Sequence, residues 1–233
     1  MPARRTPALG LAAVIATSWP APAAAQLAAS LSLDSDFRWR GVSLSDGRPA
    51  MSLDLSYDHS SGAYVGASGM IEEAPQAGVR FLGDVEYAGF AARSGGGPAW
   101  DIGVSHSEFE TYSYGDYRVG YTELYAGVTS GRLSAHLYYS PDYFGEGMRT
   151  LYAELNGAVA PATDWRLFGH LGALTPLSGG AEGQRERYDL RAGLARAFRR
   201  IELRAAFTAV RGGRTPPDEP ARQAVVVGAS LFF

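Results

Sequence analysis

The chain has 233 residues, a formal net charge of −3, 46% hydrophobic and 12% aromatic side chains, 29 glycines and no cysteine. That length suits one domain, and the missing thiol excludes disulfides, cysteine-ligated zinc, iron–sulfur clusters and thiol catalysis. The mild acidity offers no basic footprint for nucleic acid.

The first element is a targeting segment. Residues 1–25 begin with Arg4 and Arg5, continue through an apolar stretch from Leu9 to Trp19, and end on Ala23-Ala24-Ala25. A basic start, an apolar middle and an A-x-A ending predict a secretory signal peptide cleaved near Ala25-Gln26. Residues 26–233 are then the mature domain. It has no apolar run of the ~20 residues that a membrane-spanning helix needs.

From Gln26 onward the pattern has period two, with apolar residues alternating against polar or small ones, as in strands. Twelve segments follow in order. The first sets Leu31, Leu33, Phe37 and Trp39 against Ser32, Asp34, Asp36, Arg38 and Arg40. The second sets Met51, Leu53, Leu55 and Tyr57 against Asp54 and Asp58, and the third, "GAYVGASGM", is weak and glycine-rich. The fourth sets Val79, Phe81, Val85 and Tyr87 against Arg80, Leu82, Asp84 and Glu86. Segments built on Trp100-Ile102-Val104, Leu124-Ala126-Val128, Leu133-Leu137-Tyr139 and Leu151-Leu155-Val159 come next. Those on Trp165-Leu167-Leu171, Tyr188-Leu190-Leu194, Ile201-Leu203-Phe207 and Val225-Val227-Leu231-Phe233 close the chain.

The connections alternate as well. "SSG", "SGR", "PATD" and "RR" are short, whereas "GVSLSDGRPA", "EFETYSYGDYR", "PLSGGAEGQRER" and "RGGRTPPDEPAR" are long. Short turns at one end and long loops at the other are the habit of transmembrane barrels. Each segment reaches about the ~9–11 residues that a tilted spanning strand requires. The sequence therefore predicts an all-β fold, a transmembrane antiparallel up-and-down β-barrel of about 12 strands, in the bacterial outer membrane. A closed barrel also explains the ending "QAVVVGASLFF": its last strand pairs with its first and turns its apolar face to lipid. Aromatics near segment ends (Trp39, Tyr57, Trp100, Tyr139, Trp165, Phe198) are expected to form interfacial belts. A soluble sandwich or lipocalin-like barrel shares the alternation but must fill an unusually large interior.

The stretch "SDFRWRGVSLSDGRPA", Ser35 to Ala50, resembles the opening hallmark of the TorF-type porin family of Gram-negative outer membranes, S-D-Y/F-R-x-R-G-V-S followed by S-D-G-x-P-A. "ELYAGV" (Glu123 to Val128) and "YYSPDYFG" (Tyr138 to Gly145) resemble later parts of the same family, in the same order. The resemblance implies a β-barrel and a channel, and supplies no substrate. "VGASLFF" is similar to the C-terminal signal read by the outer-membrane insertion machinery, with Gly228, Leu231 and Phe233 in the expected places. Val226 stands where that signal usually has a polar residue.

If the polar face lines the lumen, its acids include Asp34, Asp36, Asp54, Asp84, Glu86, Glu123, Glu154 and Glu202, and its bases Arg38, Arg40, Arg80, Arg166, Arg191 and Arg204. Opposed charges across a narrow pore sort solutes by charge and dipole, and the acid excess predicts a weak cation bias. The expected function is passive diffusion of small polar solutes through a porin-like channel, with outer-membrane lipids and the insertion machinery as partners and no nucleic acid. The alternatives are a barrel plugged by its own ion pairs, with a structural or surface role, and a lipid-modifying enzyme. Arg38-Trp39-Arg40 puts two arginines on the lumen side, where an acidic partner is the plainer expectation and an anionic ligand the sharper one. Asp46-Gly47 reads as a tight turn. Of the four histidines, His136 and His170 project to the lumen, His59 sits in a turn, and His106 falls on the apolar parity. No catalytic motif occurs, so no catalytic residue, cofactor or metal is assigned.

Overall fold

A computed structural model describes residues 26–233 except 75–77, 94, 111–118, 146, 179–184 and 214–221. The expected signal peptide lies outside the described residues. The strands are β1 (Gln26–Asp34), β2 (Arg38–Trp39), β3 (Val42–Ser43), β4 (Ala50–Asp58), β5 (Ala63–Ala74), β6 (Gly78–Arg93) and β7 (Ala99–Phe109). They continue as β8 (Val119–Ser130), β9 (Leu133–Ser140), β10 (Arg149–Ala162), β11 (Trp165–Ser178), β12 (Arg187–Phe198), β13 (Ile201–Gly212) and β14 (Gln223–Phe232). Tyr143–Gly145 forms a single 3₁₀ turn.

Twelve of these strands, β1 and β4 to β14, make one closed antiparallel barrel in which every strand neighbours its successor. The seam is β1 on β14, from Ser30 opposite Phe232 to Asp34 opposite Gly228. Closure removes the unpaired edge that an open sheet would expose, and the terminal phenylalanine is tied down by Phe233 N–H donating to Ala29 O at 3.0 Å. At the end carrying both termini the reversals at 131–132, 163–164 and 199–200 take two residues each, with Gly131, Asp164 and Arg199 in the left-handed region. The opposite end carries the longer connections, as the sequence predicted. The 75–77 connection is the exception, because β5 and β6 run on into residues that read as a loop.

The orientation of the wall is inverted relative to a soluble barrel. Ile102 is 63% exposed, Leu124 60% and Val225 69%, whereas Glu123 and Tyr152 inside are 1% exposed. Apolar side chains over a whole outer surface would be costly in water and cost nothing in hydrocarbon.

Two departures from the predicted pattern matter for function. The first strand was expected to run through Arg40, but β1 ends at Asp34. The chain then folds inward as a small hairpin, Arg38 opposite Ser43 and Trp39 opposite Val42. Arg40 (φ 47°) and Gly41 (φ 79°) form its two-residue loop, which needs positive φ at both positions. A side chain at Gly41 would run into Asp189 and Val210, so the hairpin tip touches β12 and β13. Trp39 is therefore not a belt residue: it packs in the lumen, 5.4 Å from the Phe109 ring. The turn at Asp46-Gly47 is present, closed by Arg48 N–H to Ser45 O at 2.9 Å.

The second departure is a bulge. Met70 pairs with Gly83 and Ile71 with Phe81, so Leu82 is the extra residue. A single extra residue moves every following side chain to the other face. Beyond it Val85 is buried, and Glu86 stands exposed beside Ala88 and Phe90 on the outer wall. Asp84 and Glu86, predicted to line the lumen, face outward for this reason.

Candidate functional site

The candidate site is the barrel interior and the segment that enters it. Residues 35–49 hang between β1 and β4 and drop into the half of the lumen away from the termini. Phe37 and Leu44 join Met70, Leu82, Val85, Phe109, Tyr121, Tyr152 and Leu174 of the wall in one buried cluster, together with Tyr143 and Met148 of the 141–148 connection. Polar bonds hold the hairpin's own shape. Asp36 accepts from Arg38 Nε at 2.5 Å and from the hydroxyls of Ser43 (2.5 Å) and Ser45 (3.3 Å). Trp39 Nε1 donates to the Tyr121 hydroxyl at 2.8 Å.

Arg40 is the anchor. Its guanidinium donates twice to Glu123 of β8, at 2.9 and 2.6 Å, and lies 3.9 Å over the Tyr152 ring. Burial opposes its charge, but adjacent Glu123 more than offsets this, and the Arg40 pKa stands well above the ordinary arginine value. With side-chain exposures of 7% and 1%, the pair sits where water does not reach. The plainer expectation for the Arg38-Trp39-Arg40 triplet, an acidic partner inside the barrel, describes what Arg40 does.

The other predicted lumen residues divide by partner. Arg204 clasps Asp34 across the seam at 2.5 and 3.2 Å. Arg166 holds Glu202 at 2.5 Å. Arg80 bonds Glu72, which also takes Arg48 at 2.8 Å. Glu72 and Arg48 were missed in the sequence because both fell in stretches that read as loops. The inward parity of Ser68, Met70 and Glu72 on β5 was the available signal. Glu154 accepts from Asn156 at 3.1 Å and faces His136 at 3.6 Å. His170 bridges Asn156 and Asp189, at 2.7 and 2.8 Å.

Some charges keep no oppositely charged partner within ion-pair distance. Asp54 is held by the hydroxyls of Ser30 (3.2 Å) and Ser68 (2.6 Å). Asp58, on the same strand, and Arg191 of β12 join no ion pair among the described residues. Arg166, Arg191 and Arg204 occupy the adjacent strands β11, β12 and β13, and Asp54, Asp58 and Asp101 occupy β4 and β7. In the ring of strands β12 and β7 lie five positions apart, and β13 and β4 only three. Gly228 belongs to this interior, its missing Cβ leaving room for Asp34 and Arg204. Leu231 and Phe233 face outward at the terminal end, Phe233 at 67% exposure.

Residues 20–214 match a protein family described as "Bacterial protein of unknown function (Gcw_chp)". The chain belongs to this family. No curated protein matches it in sequence. Among solved structures it resembles the KdgM porin in complex with disordered oligogalacturonate, at 14% identity and TM-score 0.50, covering 90% of this chain and 99% of that one. It is also similar to LpxR from Salmonella typhimurium (9% identity, TM-score 0.48, 88% and 99% covered). OmpT of Vibrio cholerae in its trimer form is a third likeness (10% identity, TM-score 0.41, 90% and 99% covered). At such identity the likeness to KdgM shows the fold alone: a closed all-β barrel.

Proposed function

We propose that this Gcw_chp chain is an exported outer-membrane barrel of the TorF-type, cleaved near Ala25-Gln26. It passes small polar solutes and is held shut in this conformation by residues 35–49. The observation that carries the reading is the interior itself: Arg191 on β12 and Asp54 and Asp58 on β4 point inward and join no ion pair among the described residues. A wall serving only as a rigid post has no use for uncompensated inward charge, which is costly to bury. A solute path uses it as a transverse field. Oligogalacturonate, the molecule in the KdgM complex, is a polar solute, and cargo of that broad kind suits a charged lumen. No covalent chemistry is assigned to the protein.

The buried Arg40–Glu123 pair favours a second reading, a permanently plugged barrel with a structural or surface role. One experiment separates the two. Asp34 and Ala50 are register partners, so an Asn-Gly turn can replace 35–49 without disturbing β1 or β4. The first reading expects brief or no single-channel openings from the native mature chain in planar bilayers and steady openings from the turn variant. A folded turn variant that conducts nothing refutes it and leaves the plugged reading.

A further inference from the structure

One row of the sheet register climbs the lumen. It runs Asp58, Tyr64, Gly89, Gly103, Tyr125, Tyr138 and Tyr152, each opposite the next on β4 to β10. Strands in a spanning barrel tilt by roughly 35–45°, so a row at right angles to them is a ramp. Tyr64 stands near the terminal end of β5, Tyr125 midway along β8, and Tyr152 near the far end of β10. The tyrosines face the lumen, since their neighbours Val65, Leu124 and Leu137 are exposed on the outer wall. Over the two glycines, Tyr64 and Tyr125 reach toward each other until their hydroxyls meet at 2.7 Å. The rings go on from Tyr125 to Tyr138 at 5.5 Å and from there to Tyr152 at 6.0 Å.

Carboxylates edge this ramp. Asp101 accepts from the Tyr64 hydroxyl at 3.1 Å and Glu154 from that of Tyr138 at 3.4 Å, and Glu123 stands two residues before Tyr125 on the same face. His136 lies between Asp101 and Glu154, at 3.3 and 3.6 Å. Arg80 is held by Glu72, and Arg166, Arg191 and Arg204 stand on β11 to β13, off the ramp. At its far end the ramp already holds a cation. Arg40, which belongs to the hairpin and not to the wall, lies 3.9 Å over the Tyr152 ring and 5.3 Å from that of Tyr138, while both its terminal nitrogens bond Glu123. Ring faces covered by a guanidinium that a carboxylate holds in place are the geometry of an organic-cation site.

Resting on the channel reading above, we propose that the tyrosine ramp is a binding path for small organic monocations, guanidinium or ammonium compounds, and that Arg40 occupies its far site while the hairpin is docked. When residues 35–49 withdraw, Glu123 stays in the wall, and a carboxylate so deeply set is costly without a counter-charge. A guanidinium solute takes over both hydrogen bonds and the stacking on Tyr152. A neutral solute gains the rings and leaves Glu123 unpaired. An anion meets Asp58, Asp101, Glu154 and Glu123 in turn and is repelled at each. Below the far site, Tyr138, Tyr125 and Tyr64 offer the same cation successive half-buried rings with Glu154 and Asp101 beside them.

The test uses the full mature chain carrying Arg40→Ala, folded in mild detergent and checked by its heat-shifted electrophoretic mobility; should that variant not fold, the turn variant without 35–49 takes its place. Calorimetric titration compares N-acetylarginine amide with N-acetylcitrulline amide, the same molecule with a neutral oxygen in place of the charged nitrogen. Arg40→Ala is expected to bind the arginine probe at least tenfold tighter than the citrulline probe, the scale of one charge-assisted hydrogen bond. Adding Glu123→Gln should level the two, and adding Tyr152→Leu should weaken the arginine probe about fivefold. The wild type, its far site filled by Arg40, should bind that probe at least tenfold more weakly than Arg40→Ala. Equal affinity for the two probes, a preference untouched by Glu123→Gln, or wild-type binding as tight as that of Arg40→Ala overturns the inference. The channel reading fails separately: a turn variant that binds the arginine probe and conducts nothing overturns that reading alone, and one that conducts but binds both probes alike overturns only this inference.

Discussion

Removing the Arg40 side chain is expected to release the hairpin while the barrel stays closed. Arg40→Ala deletes two hydrogen bonds to Glu123 and the stacking on Tyr152, and it strands a carboxylate that is 1% exposed. Breaking one side of a buried ion pair costs about 3–5 kcal/mol, and the lost cation–π contact adds ~1 kcal/mol. At about 1.4 kcal/mol per decade, docking weakens on the order of 10³- to 10⁴-fold. None of this touches the ladder, since Arg40 belongs to no barrel strand. Limited trypsin digestion reads the change directly. In the wild type the bond after Arg38 is shielded inside the barrel, while in Arg40→Ala it should be cut at a rate raised by that order. Arg40→Met with Glu123→Met should restore protection, because an apolar pair of similar volume replaces the charges without stranding either one. Equal digestion of wild type and Arg40→Ala, in protein that still shows the mobility of a folded barrel, would refute the anchoring argument.

Other outcomes follow from the same geometry. Gly228→Ala places a methyl group against Asp34 and Arg204, so it should loosen the seam by about 1–3 kcal/mol, measured as a lower urea midpoint. Glu86→Leu should leave that midpoint unchanged or raise it, because the side chain faces lipid. Glu123→Leu should lower it, because Arg40 is then unpaired; the reverse ranking would mean that the bulge at Leu82 is misplaced. Gly47→Ala meets no neighbouring atom but must hold φ 74°, so its cost should stay near 1 kcal/mol and appear as faster trypsin cutting after Arg48.

Strand number and outward face were legible because a lipid-facing wall repeats one rule, apolar at every second residue, wherever the register is regular. The rule failed at Phe81-Leu82-Gly83, where two apolar residues and a glycine broke the alternation. Read straight through, that strand sends Asp84 and Glu86 inward, and only the opposite register on β5 reveals the extra residue. The hairpin was hidden for another reason. Phe37, Trp39, Arg38 and Arg40 continue the period of β1, and nothing before Arg40 says that the strand has stopped. The decisive contacts, Trp39 to Tyr121 and Arg40 to Glu123, lie 82 and 83 residues away, beyond the reach of periodicity. Arg40-Gly41 was the one local hint, since a basic residue followed by glycine can turn a hairpin with both φ values positive.

Glycines on the inward face of the strands show why this interior is so full. A Cβ at Gly66 would meet the Tyr87 ring, at Gly103 the Tyr125 ring, at Gly127 His136 and Asp101, and at Gly172 Tyr152 and Asp189. In each case a large polar side chain from a neighbouring strand lies flat over the glycine instead of pointing at the axis. This lets tyrosines and histidines meet one another along the wall. Tyr64, for instance, bonds Tyr125 at 2.7 Å and Asp101 at 3.1 Å. Glycine lowers strand propensity, and here that local loss is offset by a continuous polar lining. The lining leaves the axis to the hairpin on one side of Arg40 and, on the other, to Arg191, Asp54 and Asp58, which join no ion pair among the described residues. A sequence that wanted only a plug could have filled the same space with leucine. Apart from Tyr121, Glu123 and Glu72, whose partners lie on residues 35–49, the polar rings laid on glycine bond to one another and not to the hairpin.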